Sequence, residues 1–379
     1  MALTRTRRPG TSSRPSENNS FADLPDPAGV TAALVSAFSS QLVRWQKNHG
    51  RHSLPWQNTR DPYRVWLSEI MLQQTQVATV LDYYTRFLQR FPTVADLAAA
   101  LPDEVLGLWS GLGYYSRARN LHRCAQDVVR LHGGQFPKTA ELLQTLPGIG
   151  PSTAAAIASF CFSERVAILD GNVKRVLTRL TAFSGDLTSS AQERILQGMA
   201  TELLPRRRLR EDMPRYTQGI MDLGATICTS RQPSCLLCPV QDLCLGRASG
   251  APERFPVKTR KLKRSAQSLS LLWAERSDGA LWLERRPATG IWGGLYCFPV
   301  FDSEDELLAA LPAALQGKLQ AVPPFVHVLT HKDLRLSPMR LCLPARQART
   351  LRLSGDGAWF GRGDWAGLGL PAPIRKLLA

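Results

Sequence analysis

The sequence predicts two domains of different class, an all-α unit followed by a smaller α/β or α+β unit. Three observations predict this. Between Thr31 and Cys228 apolar residues recur at spacings of three and four, the period of amphipathic helices, with little strand character. After a basic stretch with interspersed Pro, Gly and Ser at 246–264, the pattern changes to extended apolar runs bounded by turn signals. The chain's 379 residues, 44% of them hydrophobic, suffice for two cores.

Residues 1–29 read as a disordered tail, dominated by Pro, Ser, Asn and Gly without periodicity. Leu34, Phe38, Leu42 and Trp45 mark the first helix. Residues 64–91 read as a second strong helical stretch, with a stripe of Val65, Trp66, Ile70, Val77, Leu81, Tyr84 and Leu88. Helical patterns continue at 94–108, 117–132, 139–146, 152–162, 172–182, 190–204 and 214–227. Residues 246–264 carry seven Lys or Arg and one acid, and read as a basic linker. Beyond it, 268–275 and 280–284 read as strands joined by the turn Ser277-Asp278-Gly279, 325–330 and 334–343 as further strands, and 303–315 as a helix. The predicted organisation is a tail (1–29), a helical domain (30–245), a linker (246–267) and a C-terminal domain (268–379), with no internal repeat.

Composition excludes several classes. Lys plus Arg outnumber Asp plus Glu 47 to 31, a formal charge of +16, which points to a polyanionic partner. No uncharged apolar stretch approaches the ~20 residues of a membrane span, so an integral membrane protein is excluded. The first residues carry Arg but no apolar segment after it, so they are not a secretory signal; a bacterial cytoplasm is the expected location. Eight Cys are too few for a disulfide scaffold, and four of them cluster, which suggests metal ligation in a reducing compartment.

Those four are Cys228, Cys235, Cys238 and Cys244, spaced C-x6-C-x2-C-x5-C. Four thiolates in one loop can close around Zn²⁺ or hold the corners of a 4Fe–4S cluster; the spacing does not separate the two. With four protein ligands no position stays open, so the expected role is structural. Cys124, Cys161, Cys297 and Cys342 stand in apolar contexts and are expected to be buried. Leu146-Pro147-Gly148-Ile149-Gly150 lies between helical stretches, and Pro151-Ser152-Thr153 opens the second. Its two glycines allow a tight turn with outward N–H groups, which together with a helix N-terminus suits a phosphate. Asp170 precedes a helix: it is either an N-cap or a buried carboxylate that stabilises positive charge. Glu69 falls in an apolar stripe; it is a surface position or, if buried, an acid that stays protonated.

Together the segments Leu54-Pro55-Trp56, 66–77, Gly111-Leu112-Gly113-Tyr114-Tyr115, 146–150, 168–173, the four-Cys loop and Trp292-Gly293-Gly294-Leu295-Tyr296-Cys297-Phe298-Pro299 resemble the helix-hairpin-helix DNA glycosylases. Over residues 31–379 the chain resembles the adenine DNA glycosylase (MutY) family in particular. The resemblance implies an all-α helix-hairpin-helix core with an iron–sulfur loop and a C-terminal α/β Nudix-like domain. The implied activity is removal of adenine mispaired with 8-oxoguanine or guanine in double-stranded DNA, by a monomer carrying a 4Fe–4S cluster on the four cysteines.

The residue roles follow from the same resemblance. Glu69 matches the general acid that protonates N7 of the flipped adenine. Asp170 matches the carboxylate that stabilises the oxocarbenium-like sugar, and Asn172 a polar partner near it. Trp56, Gln218 and Asp222 match the adenine pocket. Gln74 and Tyr114 match residues that wedge into the DNA stack, a contact worth ~1–3 kcal/mol per stacked base. Gly148, Gly150 and Ser152 belong to the DNA-binding hairpin. Relatives that also cut the backbone carry Lys at Ser152; a serine hydroxyl forms no Schiff base, so a monofunctional enzyme is expected. Segment 303–308 lacks the acidic pattern that holds metal in Nudix hydrolases, so the C-terminal domain is expected to recognise 8-oxoguanine and not to hydrolyse nucleotides. Its recognition loop, typically Phe-Ser-His, reads Leu329, Thr330 and His331 here. An endonuclease III-like lyase, a lesion-binding module without chemistry, and a nucleotide-sanitising hydrolase are opposed by Ser152, by Glu69 with Asp170, and by the missing acidic helix.

Overall fold

The computed structural model describes residues 31–260, 264–349, 351, 353 and 355–378, so the expected tail at 1–29 lies outside the described residues. The N-terminal part is helical: α1 (Ala32–His49), α2 (Pro62–Leu72), α3 (Val77–Arg90), α4 (Val94–Ala99), α5 (Pro102–Trp109), α6 (Ser116–His132), α7 (Ala140–Leu143), α8 (Pro151–Phe162), α9 (Gly171–Leu180), α10 (Ser190–Glu202), α11 (Leu209–Thr226) and α12 (Leu245–Ala248). The expected stretch 64–91 is two helices. Gln74 takes a left-handed backbone (φ 57°) between α2 and α3, and the apolar stripe reads through the break because Ile70 and Val77 lie two helical turns apart. Pro102, at the start of α5, likewise divides 94–108. Asp61 caps α2 by accepting from the Tyr63 N–H, with Pro62 in the first turn, so this helix starts at a defined residue.

Two apolar cores hold these helices. One buries Trp66, Leu67 and Met71 of α2 with Tyr84, Phe87 and Trp109. The other buries Phe38 and Leu42 of α1 with Val176, Leu177, Tyr216 and Ile220. Helix α8 packs on both α2 and α11 and so bridges the two.

The C-terminal domain comprises β1 (Ser265–Arg276), β2 (Leu281–Arg285), β3 (Tyr296–Cys297), β4 (Val300–Phe301), α13 (Glu304–Ala309), α14 (Ala313–Gln316), β5 (Gln320–Ala321), β6 (Phe325–Val328), β7 (Lys332–Leu343), α15 (Ala345–Ala348), β8 (Gly357–Phe360), α16 (Arg362–Trp365) and α17 (Ala372–Leu378). Strands β1 and β7 pair in parallel from Ser265↔Lys332 to Arg276↔Leu343, and the other pairings are antiparallel, giving a mixed eight-stranded sheet with the order β3-β2-β1-β7-β5 along its path. The expected helix 303–315 breaks into α13 and α14 before Pro312, whose ring disfavours helical backbone in the residue ahead of it. Cys342 is exposed, contrary to expectation, because it sits on the outward-facing side of β7.

The basic linker is shorter than expected and lies against the helical domain. Strand β1 begins at Ser265, inside it. Upstream, the Val257 carbonyl accepts from the Leu187 N–H at 3.1 Å and the Phe255 carbonyl from Arg179 Nε at 3.1 Å. The domains also touch directly: Ser110 Oγ and Tyr115 Oη both donate to the Leu370 carbonyl. Among the described residues no helix is long and apolar enough to cross a membrane.

Candidate active site

A cavity of about 580 Å³ opens between α2, α9, α11 and the 51–60 segment, and Glu69, Asp170, Asn172, Trp56 and Gln218 all line it. Helix α2 brings Glu69 there because Trp66, Leu67, Ile70 and Met71 around it are buried. Burial first, and the charge of Asp170 second, push the Glu69 carboxyl up to about 8. It therefore holds a proton at neutral pH and can give one away.

Asp170 bears out the N-cap reading and also reaches the cavity. It is the N-cap of α9, its Oδ1 accepting from the Val173 N–H at 2.7 Å, and it lines the cavity opposite Glu69. It is half-buried. Asn172, in the first turn of α9, accepts at Oδ1 from Arg175 at 2.8 Å. Its Cβ lies where a side chain on Gly224 would project, 2.8 Å from an added Cβ, so only glycine lets α11 approach this closely.

The base-pocket assignments divide. Trp56 is buried with its ring edge-on to Tyr84, centroids 5.2 Å apart, and still presents a surface to the cavity. Gln218 lines the cavity and donates to Asp222 Oδ1 at 2.9 Å. Asp222 itself is fully buried behind the wall and does not line it. Its carboxylate receives Arg51 Nε at 2.6 Å and the Arg51 N–H at 3.0 Å. The group facing the cavity is thus Arg51, which sequence reasoning missed because its partner is 171 positions away.

Gln74 and Tyr114 stand on separate turns, both exposed and both with left-handed backbones (φ 57° and 49°). A single buried guanidinium holds the two turns. Arg117 Nη1 donates to the carbonyls of Ile70, Met71 and Gln73 at 2.8–2.9 Å, and Nη2 to those of Leu112 and Gly113. It occupies the C-terminal end of α2, where helix carbonyls lack partners and the dipole favours a cation. Burial lowers the Arg117 pKa to about 10, which leaves it charged at neutral pH. No sequence signal distinguishes Arg117 from the other arginines of α6.

In the hairpin, Gly148 needs to be glycine twice over: its φ is +77°, and an added Cβ would meet Asn120 Cβ at 2.7 Å. Gly150 has an ordinary backbone (φ −83°) as N-cap of α8 and faces open space, so the turn does not itself require glycine there. Ser152 lies in the first turn of α8, outside the cavity lining. Thr330 bonds through its hydroxyl to the hydroxyl of Tyr114. His331 is exposed, its carbonyl accepting from the Ser265 N–H at 3.2 Å. Leu329 is half-buried against the core, where the expected aromatic would stand.

The four-Cys loop follows α11. Burial pushes the Cys238 thiol up to about 12, and Cys228, Cys244 and Cys235 add to this, so the four sulfurs share one locality. Among the described residues no three Cys, His, Asp or Glu side chains are arranged to hold a single metal ion. Arg179, almost wholly buried, ties the loop down, donating to Cys228 Sγ at 3.4 Å, to the Thr229 carbonyl at 2.6 Å and to the Ser230 carbonyl at 3.1 Å. Four soft thiols beside a buried guanidinium suit a negatively charged thiolate-ligated group, so the donor set fits the expected cofactor.

The chain is similar to known proteins over most of its length. Residues 67–201 match the HhH-GPD superfamily of base excision DNA repair proteins, and 271–379 match a NUDIX domain. The adenine DNA glycosylase of Buchnera aphidicola (Acyrthosiphon pisum) is 35% identical over 90% of this chain and 96% of its own. That of Rattus norvegicus is 47% identical over 94% of this chain and 78% of its own. Among solved structures, a thermostable thymine-DNA glycosylase superposes on 57% of this chain and 98% of its own, with a TM-score of 0.50 at 27% identity. With a protonated Glu69 facing Asp170 in the cavity of a helix-hairpin-helix core, and relatives matched almost end to end, the chain belongs to the adenine DNA glycosylase family and is a base-excision-repair glycosylase acting on adenine.

Proposed function

We propose that this enzyme hydrolyses the N-glycosidic bond of adenine paired with 8-oxoguanine or guanine in duplex DNA, and leaves an abasic site without cutting the strand. The observation that carries this reading is the pair Glu69 and Asp170 on one cavity, the Glu69 carboxyl raised to about 8 by burial and by Asp170 so that it holds a proton at neutral pH. A protonated Glu69 facing a second carboxyl group suits a division of acid and electrostatic roles between the two.

Adenine enters the cavity flipped from the stack, with Tyr114 and Gln74 placed to fill the gap. Glu69 gives its proton to the base, which makes adenine a leaving group. The sugar left behind carries positive charge next to the Asp170 carboxylate, which stabilises it until water adds. Arg51 and Gln218, both fixed by Asp222, hold the base by its polar edge. Ser152 cannot form an imine with the opened sugar, which supports a monofunctional reaction. The Thr330 hydroxyl beside Tyr114 supports a reading head in the C-terminal domain for the base opposite adenine. Cys228, Cys235, Cys238 and Cys244 would hold a 4Fe–4S cluster, whose contribution with four protein ligands is to brace the loop after α11. The setting for this activity is the bacterial cytoplasm, with the protein acting as a monomer on nucleoid DNA.

Single-turnover cleavage of an adenine:8-oxoguanine duplex, read with and without alkali, tests the proposal. Strand breaks only after alkali are expected. Breaks without alkali overturn the monofunctional step, and no breaks under either condition overturn the glycosylase reading.

A further inference from the structure

The turn that carries Tyr114 is not one that its own residues hold. It joins Trp109, the last residue of α5, to Ser116, the first of α6, and Gly111, Gly113 and Tyr114 all take left-handed backbone (φ 104°, 74° and 49°). For a tyrosine that conformation is sparsely populated, and it persists where the surroundings over-determine it. On the helical side the turn is held by Arg117, by Trp109 Nε1, which donates to the Gly113 carbonyl at 3.1 Å, and by Tyr83 Oη, which donates to the Ser110 carbonyl at 2.6 Å.

The C-terminal domain grips the same turn from the other side, at its two feet. Ser110 Oγ and Tyr115 Oη converge on the Leu370 carbonyl at 2.9 and 3.2 Å, 260 and 255 positions away. Both hydroxyls also accept: Ser110 Oγ receives Arg375 Nε at 2.6 Å, and Tyr115 Oη receives the Gly111 N–H at 3.2 Å. Each hydroxyl gives one bond and takes one, and the carbonyl takes two, so the cluster is complete. Arg375 is fixed in turn, its Nη2 donating to the Leu368 carbonyl at 2.7 Å. Gly107 lets the segment come this close, since a Cβ there would run into the Gly367 carbonyl. Docking of the domains has other supports, the ion pair of Arg285 with Asp103 and the bond from Arg119 to the Gly293 carbonyl.

We propose that Arg375 and the Leu370 carbonyl brace the wedge, so that the C-terminal domain speeds adenine excision by holding Tyr114 in place, whatever base stands opposite adenine. This rests on the proposed function, in which Tyr114 fills the gap left by the flipped base, and adds a positioning role to the reading role of the Thr330 loop. The two are separate in the structure. Among the described residues Arg375 bonds to Ser110, Ala366 and Leu368, none of them in 329–331. A turn held before DNA arrives loses less freedom when the wedge is inserted, and that effect is the same for 8-oxoguanine and for guanine.

The test compares the full-length wild type with Arg375→Ala, Arg375→Lys and Ser110→Ala, by single-turnover excision from adenine:8-oxoguanine and adenine:guanine duplexes. 2-Aminopurine beside the adenine reports unstacking in the same reactions. Arg375→Ala is expected to slow both excision and the fluorescence rise about tenfold, by the same factor on the two duplexes. Ser110→Ala, which removes one oxygen and with it the bonds to Arg375 and Leu370, should do the same, and the double variant should be no slower. Arg375→Lys should restore part of the rate, and urea midpoints show that each variant folds. The brace is overturned if Arg375→Ala excises as fast as the wild type, if it is slowed on one duplex alone, or if unstacking keeps its wild-type rate. A lower urea midpoint with unchanged excision also overturns it, since that leaves Arg375 a structural role only. If Arg375→Ala does not fold, Ser110→Ala decides the question by the same criteria. Failure of the glycosylase reading is separate, seen as no excision by the wild type.

Discussion

Tyr114 and Thr330, 216 positions apart in sequence, share a hydrogen bond between their hydroxyls. Tyr114 belongs to the turn before α6 and Thr330 to the loop between β6 and β7, so the bond joins the two domains at the position assigned to the DNA stack. Arg264 steadies the loop by donating to the carbonyls of Thr330 and Leu329 at 3.1 and 2.9 Å. The 111–115 turn and the 329–331 loop are thus tied together, and under the proposed function they act as one unit. Thr330→Val and Tyr114→Phe should each weaken binding to an adenine:8-oxoguanine duplex several-fold, and the double variant should be little worse than either single one. A double-mutant cycle on binding affinity checks this, with a coupling of about 1 kcal/mol expected; additive effects would break the link.

Glu69 makes both activity and stability depend on pH. A glutamate ordinarily titrates near 4.5, and in the fold it is pushed to about 8. Between these values the folded chain holds a proton that the unfolded chain has released, so this group's contribution to stability falls as pH rises from about 4.5 to about 8. Glu69→Gln removes that dependence. Urea melts of the two proteins should diverge with rising pH, the variant being more stable above pH 8 by about 5 kcal/mol at most. Excision by the wild type should decline above about pH 8, as the acid loses its proton, and the variant should lose at least ~10³-fold in single-turnover rate while still binding the mispair. A variant that keeps its activity removes Glu69 from the mechanism.

Arg117 is a positioning residue, acting through the backbone of α2 and of the 112–113 turn. Arg117→Ala leaves the carbonyls of Ile70, Met71 and Gln73 without their donor, and should cost about 3 kcal/mol in denaturant unfolding. Arg117→Lys keeps the charge but cannot span both turns. It should fold and still show slower base flipping by 2-aminopurine fluorescence, together with slower excision. Normal flipping in the lysine variant would confine Arg117 to stability.

Asp222 acts through Arg51. Asp222→Asn loses the charge that holds Arg51 Nε at 2.6 Å, and the arginine can swing out of the cavity. Single-turnover excision should fall about 10- to 100-fold, and Arg51→Ala should show the same loss, with no further loss in the double variant. An unaffected Arg51→Ala enzyme would show that the base is held by Gln218 and Trp56 alone.

The sequence by itself determined the classes of the two domains and the chemistry-bearing segments, because both depend on local patterns. Apolar spacing of three and four marks helices through the breaks at Gln74 and Pro102, although it cannot mark the breaks themselves. Asp170 at the head of a helix and four clustered cysteines announce a cap and a ligand set without reference to anything distant. Tertiary structure alone decided what those groups experience. Whether Glu69 was a surface acid or a buried one turned on tertiary packing, with α8 against α2, which raises its pKa by removing water and bringing Asp170 near. The exchange of Asp222 for Arg51 at the cavity wall, the anchoring of both wedge turns on Arg117, and the meeting of Tyr114 with Thr330 all join residues far apart in the chain. No periodicity records such pairs, because they exist only after packing has placed a buried charge within reach of its partner.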